Sequence, residues 1–497
     1  MNSNLPDVVD LLSLSPLLRI GLLKITLGLR RACGRPRRGL SPSSSSPKVA
    51  ENAMSHSKAK RVQGFRLLDL AFGLLAFAVI ARESTAADVT PVATKAPPKA
   101  PTSWWDTLTI TGHVDAGVMF NSINPPDAIN FGQLFSDKAN SPLLNQTLLT
   151  IQRPLDPKAT GYDFGFRFQA MYGSDARYTH FLGEFDESIS GRNQFDIVEA
   201  HALVHLPWLT AGGIAVKMGQ FVTLEGAEVI YAPDNPLFTH SYVFNFGTPF
   251  KHTGVLTTTH VNPLLDVILG VTSGENTSIG DRFNCFDCGD NNTAAAFHGG
   301  IGLNLGDGAL TVSATTHIGP ENPSTPATQV ACACDPNTAL RYENDVTVTW
   351  KATDKLMFMT DMNYIRDDGF RATGGGVAQY AEYAINDKVK IVARGEIWRD
   401  NNGFFVAAYP GNLDFVKAEH GDPTAVVVGG GNTTYGELTV GLTITPNIPA
   451  NPYITKLIIR PEIRYDASLN GTTPFGAGTK SSQFTFGGDI IIPFPLK

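Results

Sequence analysis

The sequence has 497 residues, enough for one large barrel or about three ordinary domains. Charged residues make up 17% of the chain, against about 25% in a typical soluble domain. Because 42% of the residues are hydrophobic and 9% aromatic, the chain can bury a core, which excludes disorder throughout. No run of about 18 uninterrupted apolar residues occurs, so a helical membrane protein is excluded. The five cysteines are too few for a disulfide-dense miniprotein.

The charge is distributed unevenly along the chain. Residues 1–87 hold 13 of the 39 Lys and Arg residues and 5 of the 46 Asp and Glu residues, a net charge of +8. The other 26 basic and 41 acidic residues give the rest of the chain a net charge of −15. Nucleic-acid binding needs a positive surface on the folded part, so this acidic body argues against it.

Residues 54–87 have the pattern of a secretory signal peptide. Met54 opens a short basic stretch, an apolar core of 12 residues follows at 70–81, and small residues precede Asp88. The apolar core is too short to span a bilayer as a helix. We therefore expect the mature protein to begin at Asp88 or within a residue or two of it. A buried helix is the alternative interpretation.

Two further segments flank this leader. Residues 1–53 carry an Arg-rich cluster and the run SPSSSS, and a secretory signal should itself be N-terminal. We interpret 1–53 as an over-long N-terminal extension, with an organellar transit peptide as the alternative. Residues 88–106 are rich in Pro and Ala without periodicity, which predicts an extended periplasmic spacer. The paired Trp104 and Trp105 at its end suit a membrane–water interface.

From residue 107 onward, apolar and polar residues alternate with a period of two. The clearest case is 162–173, which reads YDFGFRFQAMYG. Such alternation predicts strands with one apolar and one polar face. The segments run about 10 to 14 residues, whereas ordinary strands have about 5 to 6 and a tilted strand crosses a bilayer in about 9 to 11. Their length therefore favours membrane-spanning strands over a soluble sandwich.

The number of segments and the lengths of their connections predict the architecture. Connections after odd-numbered segments are mostly long and those after even-numbered segments mostly short, as in barrels with long outer loops and short periplasmic turns. An even number of strands also allows an antiparallel barrel to close. We therefore predict an all-β fold, a transmembrane antiparallel β-barrel of about 16 strands (14–18) over residues 107–494. The predicted strands are 107–121, 143–155, 161–173, 195–207, 213–222, 251–261, 265–273, 294–306, 309–319, 339–352, 355–367, 377–386, 389–400, 432–444, 456–468 and 481–494.

Two stretches carry a family resemblance. Residues 217–254 read KMGQFVTLEGAEVIYAPDNPLFTHSYVFNFGTPFKHTG, a strand followed by Gly-x-Phe, Gly-x-Glu, Asn-Pro, a Ser-containing aromatic segment and His-Thr-Gly. The last strand, SQFTFGGDIIIPF, alternates and ends in Phe494, similar to the C-terminal signal for outer-membrane insertion, although residues 495–497 follow it. Taken whole, residues 107–494 resemble the second putative beta-barrel porin family (the OmpL-like porins).

The resemblance implies an outer-membrane porin of a Gram-negative bacterium. Such a protein passes small hydrophilic solutes or ions by passive diffusion through a water-filled lumen, without catalysis or cofactors. It implies outer-membrane lipid and the barrel assembly machinery as partners, and a homotrimer as the usual state of porins. The alternatives are a structural or adhesin barrel with a closed lumen and a barrel enzyme such as a lipid hydrolase. No G-x-S-x-G, H-E-x-x-H or P-loop motif supports an enzyme.

Strand parity predicts which charged side chains line the lumen. A charge facing lipid at mid-depth costs about 2–4 kcal/mol, so these side chains should face water, unless the sheet is a soluble one with a solvated face. Glu199, His201 and His205 share one face, but residues i and i+4 of a strand lie about 13 Å apart, which favours lumen lining over a metal site. The other candidates are Arg167, Lys217, Arg341, Glu343, Asp345, Arg394, Glu396, Arg460, Glu462 and Arg464.

The connection at 223–250 is too apolar for a free extracellular loop. We expect it to fold into the barrel and narrow the pore. Its acids Glu225, Glu228 and Asp234 would then face lumen arginines and set a transverse field that filters solutes. The alternatives are a loop that caps the rim and one that contacts a neighbouring subunit.

The cysteines and glycine runs complete the sequence-based expectations. Cys33 lies in the leader, and the other four lie on two outer loops joined by one hairpin. An oxidising periplasm favours disulfides over bound zinc or free thiols. The runs of three glycines at 374–376 and 429–431 have no phosphate-loop context and predict loops. The disulfide candidates are Cys285, Cys288, Cys332 and Cys334.

Overall fold

The computed structural model describes residues 103–181, 191–278, 292–322, 334–406, 431–449, 451, 454 and 456–497. In this part of the chain, sixteen antiparallel strands form a closed barrel, and β1 pairs with β16 to complete it. The predicted all-β antiparallel barrel of 16 strands is confirmed. The strands are β1 Thr109–Asn121, β2 Pro142–Arg153, β3 Asp163–Gly173, β4 Gln194–Leu206, β5 Ile214–Val222, β6 Lys251–Asn262, β7 Leu265–Thr272, β8 Ala296–Leu305, β9 Leu310–Pro320, β10 Leu340–Lys351, β11 Leu356–Asp367, β12 Ala372–Asn386, β13 Val389–Asp400, β14 Thr433–Ile444, β15 Ile458–Ser468 and β16 Ser482–Pro495.

Helical structure in the described residues is limited to short segments. No helix among them is long and apolar enough to cross a membrane. The predicted leader and most of the predicted spacer lie outside the described residues, and the end of the spacer forms a 3₁₀ turn. The helical segments are Trp104–Thr107, Ala176–Thr179, Ala232–Asp234, Val243–Gly247 and Phe475–Gly478.

The alternation in sequence becomes an apolar outer face and a polar inner face. In β3, Phe164 is 58% exposed and points outward, whereas Gln169 is 1% exposed and points into the barrel. A soluble protein would bury the aromatic face instead. A barrel in lipid presents that face to the hydrocarbon and keeps its polar side chains inside.

The start of β12 differs from the prediction. The strand begins at Ala372, not at residue 377, and it contains the glycine run at 374–376 that we expected to form a loop. The inward-facing, buried Trp398 of β13 explains the glycines. A Cβ on Gly376 would lie 2.7 Å from Cδ1 of Trp398, and one on Gly374 would lie 2.8 Å from its Cη2. The run therefore leaves room for the indole ring within a regular strand.

The connections differ in length between the two ends of the barrel. Two residues join β6 to β7 and β12 to β13, whereas β5 and β6 are joined by the long connection at 223–250. The connection between β11 and β12 has only four residues, because β12 extends further than predicted. The predicted alternation of long and short connections therefore holds except here and between β14 and β15, where the connection at 445–457 has 13 residues.

Candidate functional site

The connection at 223–250, called here the lumen loop, lies inside the barrel. Its backbone bonds to inward-facing side chains of strands that it does not connect. The amide of Ala227 donates to Oδ2 of Asp361 on β11 at 2.9 Å, and the amide of Phe238 donates to Oε2 of Glu462 on β15 at 2.8 Å. Because β11 and β15 are well separated from β5 and β6 in the closed strand order, the loop crosses the lumen.

Two wall carboxylates each hold a pair of consecutive loop amides. Glu462 accepts hydrogen bonds from the amides of 238–239 at 2.8 and 3.1 Å. Glu396 on β13 accepts from the amides of 242–243 at 2.6 and 2.7 Å. These two acids therefore fasten the second half of the loop to the wall.

Three buried arginines on β13 and β15 bind the loop from the same side. Each also pairs with a wall carboxylate, as the contact of 2.8 Å between Arg464 and Asp466 shows. Their positive charges are therefore neutralised by carboxylates of the protein itself. Each donates to a loop carbonyl at 2.6 to 2.7 Å, namely Arg394 to Thr239, Arg460 to Asn235 and Arg464 to His240.

Glu228 of the loop lies directly on the arginine wall. Its Oε1 is 2.7 Å from Nη1 of Arg394, and its Oε2 accepts from the amide of Ser241 at 2.8 Å. Burial alone would raise the pKa of Glu228, but Arg394, His240 and the Ser241 amide outweigh burial and lower it to about 2. Glu228 is thus an ionised anchor of the loop.

Glu225 lies in different surroundings. It is 3% exposed, and neither of its carboxylate oxygens has a hydrogen-bond partner among the described residues. Burial and, after it, the negative charges of Asp345 and Glu275 raise its pKa well above the usual range. The expectation that the loop acids face arginines therefore fails at Glu225, because the backbone turns this side chain toward wall acids. Asp234 ends a 3₁₀ turn and is exposed.

Two of the predicted lumen cations lie on another part of the wall. On β3, Nε of Arg167 is 2.9 Å from Oε1 of Glu199, and Oε2 of Glu199 lies 3.5 Å from Nδ1 of His201. On β5, Nζ of Lys217 lies 5.5 Å from the centre of the Phe221 ring. Arg394, and not either of these cations, pairs with Glu228 of the lumen loop, whereas Arg167 acts on the carboxyl of Asp234 in the same loop.

Aromatic packing explains why the lumen loop is so apolar. Tyr242 stacks on Tyr435 of β14 with ring centres 4.8 Å apart. Phe244 lies 5.2 Å from Phe250 and 5.6 Å from Phe135, which belongs to the connection between β1 and β2. These rings form a hydrophobic cluster within the barrel, so the loop is held by apolar burial as well as by charge.

The wall formed by β8 to β11 is acidic. Arg341 on β10 pairs with Glu275 at 2.5 Å and with Asp367 at 3.1 Å. Neither carboxylate oxygen of Glu343 has a hydrogen bond in the described structure. Three buried histidine rings lie on the same side, with centres 4.3 to 5.6 Å apart: His252, His298 and His317.

A family model decides the assignment. The model of putative beta-barrel porin-2, OmpL-like, matches residues 107–494, which include nearly all of the barrel. The chain belongs to this family. It is an outer-membrane porin of a Gram-negative bacterium, as the resemblance implied.

The solved structures that resemble this porin are only distantly similar to it. The outer membrane channel DcaP of Acinetobacter baumannii is 12% identical, with a TM-score of 0.46 over 78% of this chain and 97% of that one. An anion-selective porin from Comamonas acidovorans is 11% identical, with a TM-score of 0.48 over 78% and 99%. OprB of Pseudomonas putida is 13% identical, with a TM-score of 0.45 over 78% and 94%. No curated protein matches the sequence.

A second connection that fills the lumen of the porin was not anticipated. Gln133, between β1 and β2, donates to Asp466 at 3.1 Å and to Thr485 at 3.2 Å. Leu134 and Phe135 beside it are at most 4% exposed. The apolar run FGQLF at 131–135 was the available signal, because a free outer loop has little reason to carry it.

The cysteine candidates fall mostly outside the described residues. Cys334 is disulfide-bonded. Cys285, Cys288 and Cys332 lie outside the described residues. Within the described ranges, no group of three or more His, Cys, Asp or Glu side chains is arranged to hold a metal ion.

Proposed function

We propose that this porin passes small hydrophilic solutes by passive diffusion and that the lumen loop forms its constriction. The observation that carries the proposal is the crossing of the lumen by residues 223–250, fastened to the far wall at Glu396 and Glu462. A loop that crosses the lumen and is held at its far wall reduces the cross-section that is open to solutes. The proposed activity needs no catalytic residue and no cofactor.

The charges at the constriction are arranged unequally. Glu228 is neutralised by Arg394, whereas Glu225 faces further acids. A permeating ion would therefore meet a paired wall on one side and an excess of acid on the other. In a narrow lumen such charges act strongly on permeating ions, so we propose a preference for cations.

Single-channel recording in planar bilayers tests this function. The full-length protein should give discrete conductance steps, and deletion of residues 226–246 should increase the step size by removing the loop from the lumen. As a control, Glu382→Gln changes a carboxylate that pairs with Lys390 outside the loop contacts and should leave the step size unchanged. Equal step sizes for the wild type and the deletion would contradict the assignment of the constriction.

A closed barrel is the second candidate, because one observation favours it. The side chains of Arg394 and Arg464 are completely buried beneath the loop, which shows dense packing at this level of the lumen. A structural barrel would show no conductance until the loop is deleted. The same recordings therefore separate the two candidates.

We also propose how the porin is exported and assembled. The leader at 54–87 would be cleaved before Asp88, and the barrel assembly machinery would recognise the alternating last strand. The expected assembly is a homotrimer in outer-membrane lipid. N-terminal sequencing of membrane-extracted protein tests the cleavage site, and non-reducing mass mapping tests pairing among Cys285, Cys288, Cys332 and Cys334. Residues 1–53 still attached, or free thiols in exported protein, would contradict these proposals.

A further inference from the structure

The acidic wall carries polar groups that the protein itself does not satisfy. Six carboxylate oxygens in this region receive no hydrogen bond from an N–H or hydroxyl group of the described residues: both oxygens of Glu225, both of Glu343, Oδ2 of Asp345 and Oδ1 of Asp361. The carboxyl groups of Asp345 and Asp361 contact each other, and Oε2 of Glu343 lies 3.4 Å from Nδ1 of His317. All four side chains are at most 3% exposed. An unpaired buried carboxylate is costly, so a group that supplies positive charge and hydrogen-bond donors would be bound favourably.

Strand register places these groups together. Asp345 on β10 is paired directly with Thr315 on β9 and with Asn363 on β11. Glu343 lies two residues before Asp345 on the same inward face, and Asp361 lies two residues before Asn363. The unsatisfied acids therefore occupy neighbouring positions on one patch of the inner wall.

A side chain other than the acids points to a ligand at the same patch. Oγ1 of Thr315 has no hydrogen-bond partner in the described structure, although the residue is only 5% exposed. Thr315 on β9 is paired directly with Asp345 in the ladder. Buried polar atoms in native proteins are usually hydrogen-bonded, so an unsatisfied hydroxyl, which can accept a hydrogen bond, beside these acids indicates a site for a polar guest.

The lumen loop covers this patch and contributes the fourth acid. The amide of Gly226 bonds to Asp345, and the amide of Ala227 donates to Asp361 at 2.9 Å. Gly226 has a φ of +87°, a conformation that favours glycine, and this turn carries Glu225 over the wall. The negative charges of Asp345 and Glu275 act on Glu225, which shows that its carboxylate lies within their field.

We infer that the cluster of Glu225, Glu343, Asp345 and Asp361 binds the ammonium group of a cationic organic solute during permeation. A primary ammonium carries one positive charge and three N–H donors, which match acceptor oxygens that lack donors. A dehydrated metal ion fits less well, because the described acids and histidines do not form a metal-binding group. The inference deepens the proposed pore function by naming a class of solute.

Calorimetry of the full-length protein in detergent tests binding without requiring current. Ethylammonium chloride should bind with saturation, whereas tetramethylammonium chloride, which has equal charge but no N–H donor, should bind at least about tenfold more weakly. Equal binding of the two probes, or no binding of ethylammonium, would overturn the inference.

Two variants locate the site. Glu225→Gln changes only the loop, and Glu343→Gln changes the wall; each should weaken ethylammonium binding by about tenfold or more. Glu382→Gln, which neutralises a carboxylate paired with Lys390, should bind as the wild type does. If Glu343→Gln fails to form a barrel, Glu225→Gln alone decides. Undiminished binding in Glu225→Gln would place the site elsewhere and overturn the inference.

Conductance distinguishes this inference from the proposed function. If the pore conducts but ethylammonium does not bind, only the inference fails. If ethylammonium binds as expected but neither the wild type nor the loop deletion conducts, the acid cluster stands as a binding site and the pore function fails.

Discussion

The acidic side chains on two walls of the same lumen differ in their hydrogen bonding. On β13 and β15, Glu396 and Glu462 each accept two loop amides. On β10, both carboxylate oxygens of Glu343 lack a hydrogen bond in the described structure. Residue type alone therefore does not decide what a lumen acid does. Its role depends on whether the loop that crosses the barrel presents donors to it.

The path of the loop explains this difference. Between 238 and 243 the backbone directs four amides toward Glu396 and Glu462 and two carbonyls toward the arginines of the same wall. Near the acidic wall only the amides of Gly226 and Ala227 reach carboxylates. The wall of β13 and β15 therefore holds the loop in place, whereas the acidic wall keeps hydrogen-bond acceptors that are free to bind a solute.

The largest effect is expected from removing an arginine of the fastening wall. Arg394→Met would leave Glu228 and Glu437 buried without their shared cation. Breaking one side of a buried ion pair costs about 3–5 kcal/mol, so the free energy of unfolding in urea should fall by about that amount. A loss below about 1 kcal/mol would show that the two walls do not differ in fastening.

The pH dependence of loop anchoring should follow Glu228. Its pKa is lowered to about 2 in the folded loop, so its stabilisation is complete above its ordinary pKa of 4.5 and is lost as pH falls through 2. This shift corresponds to about 3 kcal/mol. Hydrogen exchange of the amides at 241–243, corrected for intrinsic rates, should therefore show protection that persists at pH 3.5. Loss of protection between pH 5 and 4 would indicate an unshifted carboxyl.

Glu225 should show the opposite sign. Its pKa is raised, so its contribution to stability is complete below pH 4.5 and is lost as pH rises through the folded pKa. Replacing the carboxyl in Glu225→Gln should therefore stabilise the protein at pH 8. The gain should disappear at pH 4, where the wild-type carboxyl is protonated. Urea unfolding of both proteins at the two pH values measures this, and destabilisation at pH 8 would contradict it.

The smallest effect is expected outside both walls. Lys390 and Glu382 form a partly exposed ion pair at 2.7 Å, and the lysine side chain is 48% exposed. Exposed pairs contribute about 0–1 kcal/mol, so Lys390→Met should change the free energy of unfolding by less than about 1 kcal/mol. Lys390→Met is therefore the control for Arg394→Met in the same urea titration. Similar losses of unfolding free energy in the two variants would contradict the difference between buried and exposed ion pairs.

Much of the fold could be predicted, because a barrel strand that crosses lipid must alternate between apolar and polar residues. The rule held for segments such as β13, predicted and found at 389–400. It failed at the start of β12, where glycines at 374–376 resemble a loop in sequence but accommodate Trp398 in the structure. The packing partner of a glycine comes from another strand, so local sequence does not reveal it.

The candidate site was less predictable. The apolar character of 223–250 led to the inward loop, and parity led to inward charges such as Arg394. The buried pair of Lys251 and Asp196, 2.5 Å apart, was not anticipated, because it joins residues 55 positions apart in sequence. The acidic surroundings of Glu225 were missed for the same reason.

The sequence by itself determined the barrel, the number of its strands and the membership of the family. The barrel and its strand number follow from alternation, segment length and connection length, which are local properties imposed by lipid on one face and water on the other. The family membership follows from the residues that match the family, such as those at 217–254. The tertiary structure alone decided which lumen acids are satisfied. Amide donors of one loop reach Glu396 and Glu462 but not Glu343, and hydrogen bonds depend on distance and direction that only the folded chain defines.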